Sequence, residues 1–269
     1  MKPIVYDDFS RPEGWPGDRW FKHRMPDYDM WDPATLVTCP GVPANTLTLA
    51  ARRFTLRRDD FHDHVKALMY STADFRPGER GRVSVEVEMS VRTFGTEDNP
   101  FGVDAGDVRL GCGAFNTIDL ATAVVFDFFV SNSQIVAVYE RLPFALTKDD
   151  PYPMFTELIP TAVQTAPGAW HRYEIAYDAA HDRAEWRVDG ETVAERSPVG
   201  APPGERGPIV KLSGLKIGGG LFTLLDDLHN DRRRLNDGAK VPGLDPRYER
   251  TLFGQGAEVA FRAFRVNQG

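Results

Sequence analysis

The chain alternates. Its clearest stretch, Val83-Ser84-Val85-Glu86-Val87-Glu88-Met89-Ser90-Val91, switches between apolar and polar residues without a break. That period of two predicts a strand with Val83, Val85, Val87, Met89 and Val91 facing a core. Residues 170–178 and 185–193 show the same alternation on either side of short polar breaks. They predict consecutive antiparallel strands with one buried face, and a tight hairpin at Asp189-Gly190, where glycine accepts a positive φ cheaply. The pattern also predicts strands over residues 4–9, 46–49, 108–115, 121–130, 134–142, 209–217, 221–225 and 258–266. Helical signal is weak, and residues 60–69 are its best short candidate.

Between these strands lie two irregular stretches. Residues 10–43 carry Trp15, Trp20 and Trp31 among several prolines. The segment is too irregular for regular structure and too aromatic to stand free, which predicts a lid or rim packed over the sheets. Residues 226–250 are rich in Asp, Arg, Gly and Pro and read as a long polar loop. Gly218-Gly219-Gly220 follows a strand but lacks the Lys-Ser/Thr or helix start of a phosphate cradle, so it reads as a bend. With no internal repeat and no low-complexity linker, residues 1–269 form one expected domain.

The strand-turn-strand run from Trp170 to Val193, and the closing Val259-Ala260-Phe261-Arg262-Ala263-Phe264-Arg265-Val266, resemble the concanavalin A-like β-sandwich superfamily. That superfamily includes laminin-G-like lectin modules and laminarinase-type glucanases. The resemblance implies an all-β jelly-roll sandwich of two antiparallel sheets, with the last strand beside the first. Laminarinase-type glucanases hold nucleophile and acid on one strand in a Glu-x-Asp-x-x-Glu arrangement, and this chain has no such motif. Glu86 and Glu88 lack the intervening Asp and the third carboxylate, and read as part of a solvated outer face. The segment Tyr139-Glu140-Arg141-Leu142-Pro143-Phe144, with Phe155-Thr156, resembles an actinobacterial branch of the superfamily found near secondary-metabolite genes. Polyether-type pathways of that kind use small cofactor-free cyclases.

Composition narrows the functional classes. With 42% hydrophobic and 11% aromatic residues in 269, the chain can bury a sizeable core. A formal net charge of −7 argues against a general nucleic-acid binder. The dense basic run Arg232-Arg233-Arg234 is flanked by Asp231 and Asp237 and reads as a solvated loop. The N-terminal residues lack the apolar stretch of a secretory signal, and no segment has the length to cross a bilayer. Two cysteines, Cys39 and Cys112, make no disulfide framework for a domain of this size. A cytoplasmic protein with no membrane or nucleic-acid partner is expected.

Candidate chemistry centres on one hairpin. Residues 124–130 and 135–141 flank the turn Ser131-Asn132-Ser133-Gln134. A turn centred on Asn132-Ser133 places Asp127 opposite Val138 and Glu140 opposite Val125. Both carboxyls then share a face as diagonal neighbours, roughly 7–8 Å apart at Cα. Phe126, Phe128, Ala137 and Tyr139 fall on the other face with Arg141. Carboxyls among Val125, Phe129, Val136 and Val138 are costly to bury unless paired, hydrogen-bonded or protonated, and an apolar wall that raises one pKa makes a general acid. The competing structural reading has one carboxyl paired with a loop arginine or pointing to solvent at a strand end.

Asn116, in a stretch read as connecting two strands, reaches toward the same mouth. The expected constellation is therefore Asp127, Glu140, Tyr139 and Arg141 as catalytic groups, with Asn116, Phe126, Phe128, Phe129, Phe144 and Phe155 lining a ligand. No metal or cofactor is expected. His62-Asp63-His64 lacks a third ligand and reads as a surface loop, Asp149-Asp150 as an ordinary acidic pair, and Cys112 as an inert buried thiol. The aromatic lining favours a mostly apolar small-molecule substrate and a cofactor-independent, non-redox cyclisation or isomerisation in secondary metabolism. The alternative is a carbohydrate-binding module or atypical glycoside hydrolase, with Trp15, Trp20 and Trp31 as stacking platforms.

Overall fold

The computed structural model describes residues 3–10, 15–24, 30–31, 36–40, 45–55, 65–78, 81–145, 154–205, 210–225 and 252–269. Two antiparallel sheets are stacked face to face. The first has eight strands. Its path runs β13 (Glu191–Arg196), β12 (Arg183–Val188), β11 (Trp170–Asp178), β6 (Arg82–Phe94), β15 (Gly256–Gln268), β4 (Leu47–Ala51), β3 (Val37–Pro40), with β1 (Ile4–Asp7) also paired to β15. The second has seven, in the order β10 (Phe155–Pro160), β9 (Ile135–Arg141), β8 (Val124–Val130), β7 (Cys112–Asp119), β14 (Lys216–Phe222), β5 (Lys66–Ser71), β2 (Trp20–Lys22). A short 3-10 turn, Pro143–Ala145, follows β9. This is an all-β jelly-roll sandwich.

The period-two reading of β6 holds along its length. Val83, Val85, Val87 and Met89 are fully buried and Val91 nearly so, and they pack into one cluster with the inner faces of both sheets. Aromatic rings bridge the sheets there: Phe128 meets Tyr173 edge-on at 5.1 Å, and Phe126 meets Trp186 at 5.5 Å. Such pairs add about 0.5–1.5 kcal/mol each beyond the area they bury. The hairpin between β12 and β13 turns at Asp189 (φ 52) and Gly190 (φ 94), the two left-handed residues of the expected tight turn. At one end of the sandwich Arg196 on β13 grips Glu157 on β10, its Nε donating to Oε2 at 2.6 Å, and so ties an edge strand of one sheet to an edge strand of the other.

Four features differ from the sequence reading. Residues 66–71, at the end of the expected helix, form strand β5, buried on both sides between β14 and β2; residues 60–64 lie outside the described residues. An apolar run with no polar alternation suits a strand covered on both faces as well as a helix, and neighbouring strands decided the outcome. The Trp-rich stretch supplies sheet edges β2 and β3 in place of a lid. Within it Trp20 is completely buried and Trp31 is 3% exposed, so neither can stack on a ligand. The triple glycine lies inside β14 and makes no bend. A Cβ on Gly219 would come within 2.6 Å of the Phe261 ring, so the residue's emptiness is what lets that ring cross the core. Finally, β14 replaces the two separate strands expected over 209–225.

The described residues contain no helix long and apolar enough to cross a membrane. The His62-Asp63-His64 cluster, Asp149-Asp150, the Arg232–Arg234 run and the loop at 226–250 lie outside the described residues.

Candidate active site

The β8–β9 hairpin has the register expected from its turn. Asp127 pairs with Val138 and Val125 with Glu140, which makes the two carboxyls diagonal neighbours on one face. That face is the outer one of the seven-stranded sheet, away from the main core. It carries a second apolar cluster of Leu68, Val108, Ala114, Phe129, Val136, Val138, Phe222 and Leu224. Pairing continues the row sideways from Val138 through Asp127 to Asn116 on β7, Gly218 on β14, Tyr70 on β5 and Phe21 on β2. One polar line therefore crosses an apolar floor.

Desolvation dominates the electrostatics here. Asp127 is 3% exposed and Glu140 6%. Burial first, and the neighbouring Glu140 charge second, hold the Asp127 carboxyl well above the usual carboxylate range; Lys66 and the Thr117 backbone pull it back in part. Asp127 Oδ1 meets no hydrogen-bond partner in the protein. Glu140 Oε1 accepts a hydrogen bond from Thr156 Oγ1 at 2.7 Å. Asn116 Nδ2 donates to the Tyr70 hydroxyl at 3.3 Å, while Asn116 Oδ1 is left without a partner. Burial, then the Asp127 charge, push the Tyr70 hydroxyl up. From across the core, Trp186 Nε1 donates to the Asp127 backbone carbonyl at 3.0 Å and fixes the strand at that point.

The expected site residues divide between two faces. Asp127, Glu140, Asn116 and Phe129 come together on the outer face, where Phe129 packs edge-on against Phe222 at 4.4 Å. Asn116 lies within β7 itself, in place of the expected connector. Tyr139, Phe126, Phe128 and Phe155 belong to the interior between the sheets. Tyr139 receives the Gly200 N–H at 2.6 Å and donates to the Ala201 carbonyl at 3.0 Å, anchoring the loop after β13. Phe155 packs edge-on against Tyr139 at 4.9 Å. Arg141 is buried at the strand end, its Nε donating to the Thr122 carbonyl at 3.3 Å. Phe144 is 58% exposed in the turn after β9. Cys112 is buried with its Sγ on the Phe222 carbonyl, and burial pushes its thiol up, the state of an unreactive cysteine.

The sequence reading gave Tyr70 no role and brought in Thr156 only beside Phe155 in the family resemblance. Their signal lay in pairing, not in composition. The described residues hold no cluster of three or more His, Cys, Asp or Glu arranged for a metal.

The fold has close company among solved structures. An endo-acting O-glycanase from the human gut microbiota aligns with a TM-score of 0.55 and 12% identity, covering 98% of each chain. The LamA catalytic domain from Zobellia galactanivorans gives 0.54 and 11%, covering 97% of this chain and 96% of that one. A β-glucanase of Bacillus licheniformis gives 0.53 and 11%, covering 100% and 99%. At such identities the likeness carries the fold, the concanavalin A-like jelly roll, and nothing in it bears on an actinobacterial branch. It corrects the expected cyclase or isomerase of secondary metabolism, since the neighbours include an O-glycanase and a β-glucanase and no such cyclase is among these three. An uncharacterized protein, L829 of Acanthamoeba polyphaga mimivirus, is 58% identical over 45 residues, 17% of this chain and only a tenth (10%) of that protein's length. Over residues 32–269 the sequence matches the profile of DUF6081, and the chain belongs to that family of unknown function.

Proposed function

We propose that this chain is a carbohydrate-active enzyme, an atypical glycoside hydrolase with Asp127 as general acid and Glu140 as its partner carboxylate. One observation carries the reading: two carboxyls from adjacent strands sit diagonally on an apolar sheet face, one of them with its pKa raised by burial and by the other's charge. A general acid working near neutral pH needs that raised pKa. Its Oδ1 is buried without a protein partner, an unmet hydrogen bond that an oxygen of a ligand would complete. The shared sandwich of the gut O-glycanase, the LamA domain and the β-glucanase supports sugar as the substrate class. The absence of Glu-x-Asp-x-x-Glu makes the enzyme atypical, with its carboxyls on two strands instead of one.

In the reaction Asp127 gives its proton to the glycosidic oxygen as the bond from that oxygen to the anomeric carbon breaks. Glu140 takes a proton from the water that adds to the same carbon. One water is consumed, the two sugar fragments leave as hydroxyl compounds, and the proton on Glu140 passes back through solvent to Asp127. The buried apolar floor strengthens both transfers by excluding competing water.

The test offers laminarin, mixed-linkage β-glucan and mucin O-glycans to the purified chain and counts new reducing ends. Release from at least one of them is expected, reduced about 10²–10⁴-fold in Asp127→Asn and in Glu140→Gln. Saturable binding without release would make the chain a carbohydrate-binding module. Neither binding nor release, or release untouched by both substitutions, would overturn the proposal.

A further inference from the structure

We infer that Asn116 reads a sugar hydroxyl next to the scissile linkage, so that the site selects a neutral glycan with a free hydroxyl there; this rests on the hydrolase reading of Asp127 and Glu140. The argument starts from unmet hydrogen bonds. Six buried side-chain polar atoms among the described residues have no partner, and two of them, Asp127 Oδ1 and Asn116 Oδ1, belong to directly paired residues on one sheet face. An unmet buried polar group costs about 1–3 kcal/mol, so two side by side mark a place where a ligand supplies the missing partners.

Their chemistry is complementary. Asn116 is 2% exposed and spends its amide donor on the Tyr70 hydroxyl, which leaves Oδ1 as an acceptor. Tyr70 is thus a positioning residue, holding the amide with its oxygen unpaired beside Asp127. Asp127, the proton-bearing acid of the hydrolase reading, offers a donor one strand away, about 5 Å at Cα. The pair therefore fits a ligand with an acceptor and a donor a short distance apart. A glycosidic oxygen and the hydroxyl on the neighbouring ring carbon have that arrangement. An anionic group does not fit: a sulfate or carboxylate cannot donate to Asn116, and Glu140 lies diagonal to Asp127 on the same face.

The experiment measures binding by calorimetry in a Glu140→Gln background, where turnover is suppressed. The probes are laminaritetraose and two analogues in which the 2-hydroxyl next to the linkage is replaced by hydrogen or by fluorine, which cannot donate. The expected result is a loss of about 10- to 100-fold in affinity for both analogues, the worth of one buried hydrogen bond. Adding Asn116→Ala should bring the hydroxyl-to-hydrogen ratio to about one. Asn116→Asp, which keeps the size and an acceptor, should retain the preference and serves as the folding control. If Asn116→Ala still discriminates, or the fluorine analogue binds as well as the parent, the inference fails while the hydrolase reading stands. If neither the wild type nor the Glu140→Gln protein binds laminaritetraose, the inference fails, while the hydrolase reading is decided by release from the three-glycan panel.

Discussion

The two sheets bury carboxyl groups on their outer faces in opposite ways. On the eight-stranded sheet Glu185 is 6% exposed and is gripped by three guanidinium groups: Arg187 at 2.6 Å, Arg183 at 2.7 Å and Arg82 at 2.9 Å. Around it runs a surface ladder in which Arg172 and Arg265 meet Glu86 and Arg187 also meets Glu174. On the seven-stranded sheet Asp127 is 3% exposed, stands among aliphatic and aromatic side chains, and keeps an oxygen with no protein partner. A carboxylate surrounded by cations is spent on structure. A carboxyl in an apolar wall, with its neighbour's charge beside it, has a raised pKa, the property an acid catalyst needs, and its ionisation costs stability.

Activity gives the largest contrast. With the glycan that responds in the panel above, Glu140→Gln is expected to remove about two orders of magnitude or more of turnover. Glu185→Gln should leave turnover within about twofold while lowering stability, because it weakens charged hydrogen bonds worth about 1.5–3 kcal/mol. Equal losses of turnover in the two variants would erase the distinction between the faces. Next in size is Trp186→Phe. It removes the indole that binds the Asp127 carbonyl across the core, and its combined cavity and lost hydrogen bond should cost about 2–4 kcal/mol in urea unfolding.

The pH dependence of stability tests Asp127 by itself. Its folded pKa is raised above that of the unfolded chain. As pH climbs through the ordinary carboxylate range the unfolded state gives up this proton and the folded state keeps it, so stability is full at lower pH and falls until the raised pKa is passed. Asp127→Asn should remove that decline and make the protein more stable than wild type at neutral and mildly alkaline pH. A variant that tracks the wild-type curve in denaturant titrations from pH 5 to 8 would show that the buried carboxyl is not held protonated. The smallest effect belongs to the surface ladder. Glu86→Gln, facing Arg172 and Arg265 at a partly exposed position, should cost no more than about 0.5 kcal/mol, and less as salt is added.

Much of this contrast was legible before folding. The turn at residues 131–134 and the period-two geometry of a strand were enough to set Asp127 against Val138 and Glu140 against Val125, because a two-stranded hairpin has few alternatives once its turn is chosen. The alternation of β6 likewise sent Glu86 and Glu88 outward. Local patterning failed where a partner strand set the rule. Strand β15 is the clearest case: strict alternation from Val259 would bury Ala263 and Arg265, yet Phe264 and Val266 are the buried residues. A bulge between Arg262 and Arg265, with Ala263 at φ 40, shifts the phase by one residue so that both Phe261 and Phe264 face the core.

Alone, then, the order of residues determined the all-β class, the antiparallel neighbours joined by short turns and the face shared by the two acids, all of them consequences of a period and a turn acting over a few residues. Only the tertiary structure decided that residues 66–71 are a strand, that Trp20 and Trp31 are core, and that Asn116 and Tyr70 line up with Asp127. Those outcomes depend on pairing between segments far apart in the chain, as when Tyr70 meets Gly218 and Gly218 meets Asn116. So does the raised pKa of Asp127, since desolvation is a property of everything packed around a group and not of its neighbours in sequence.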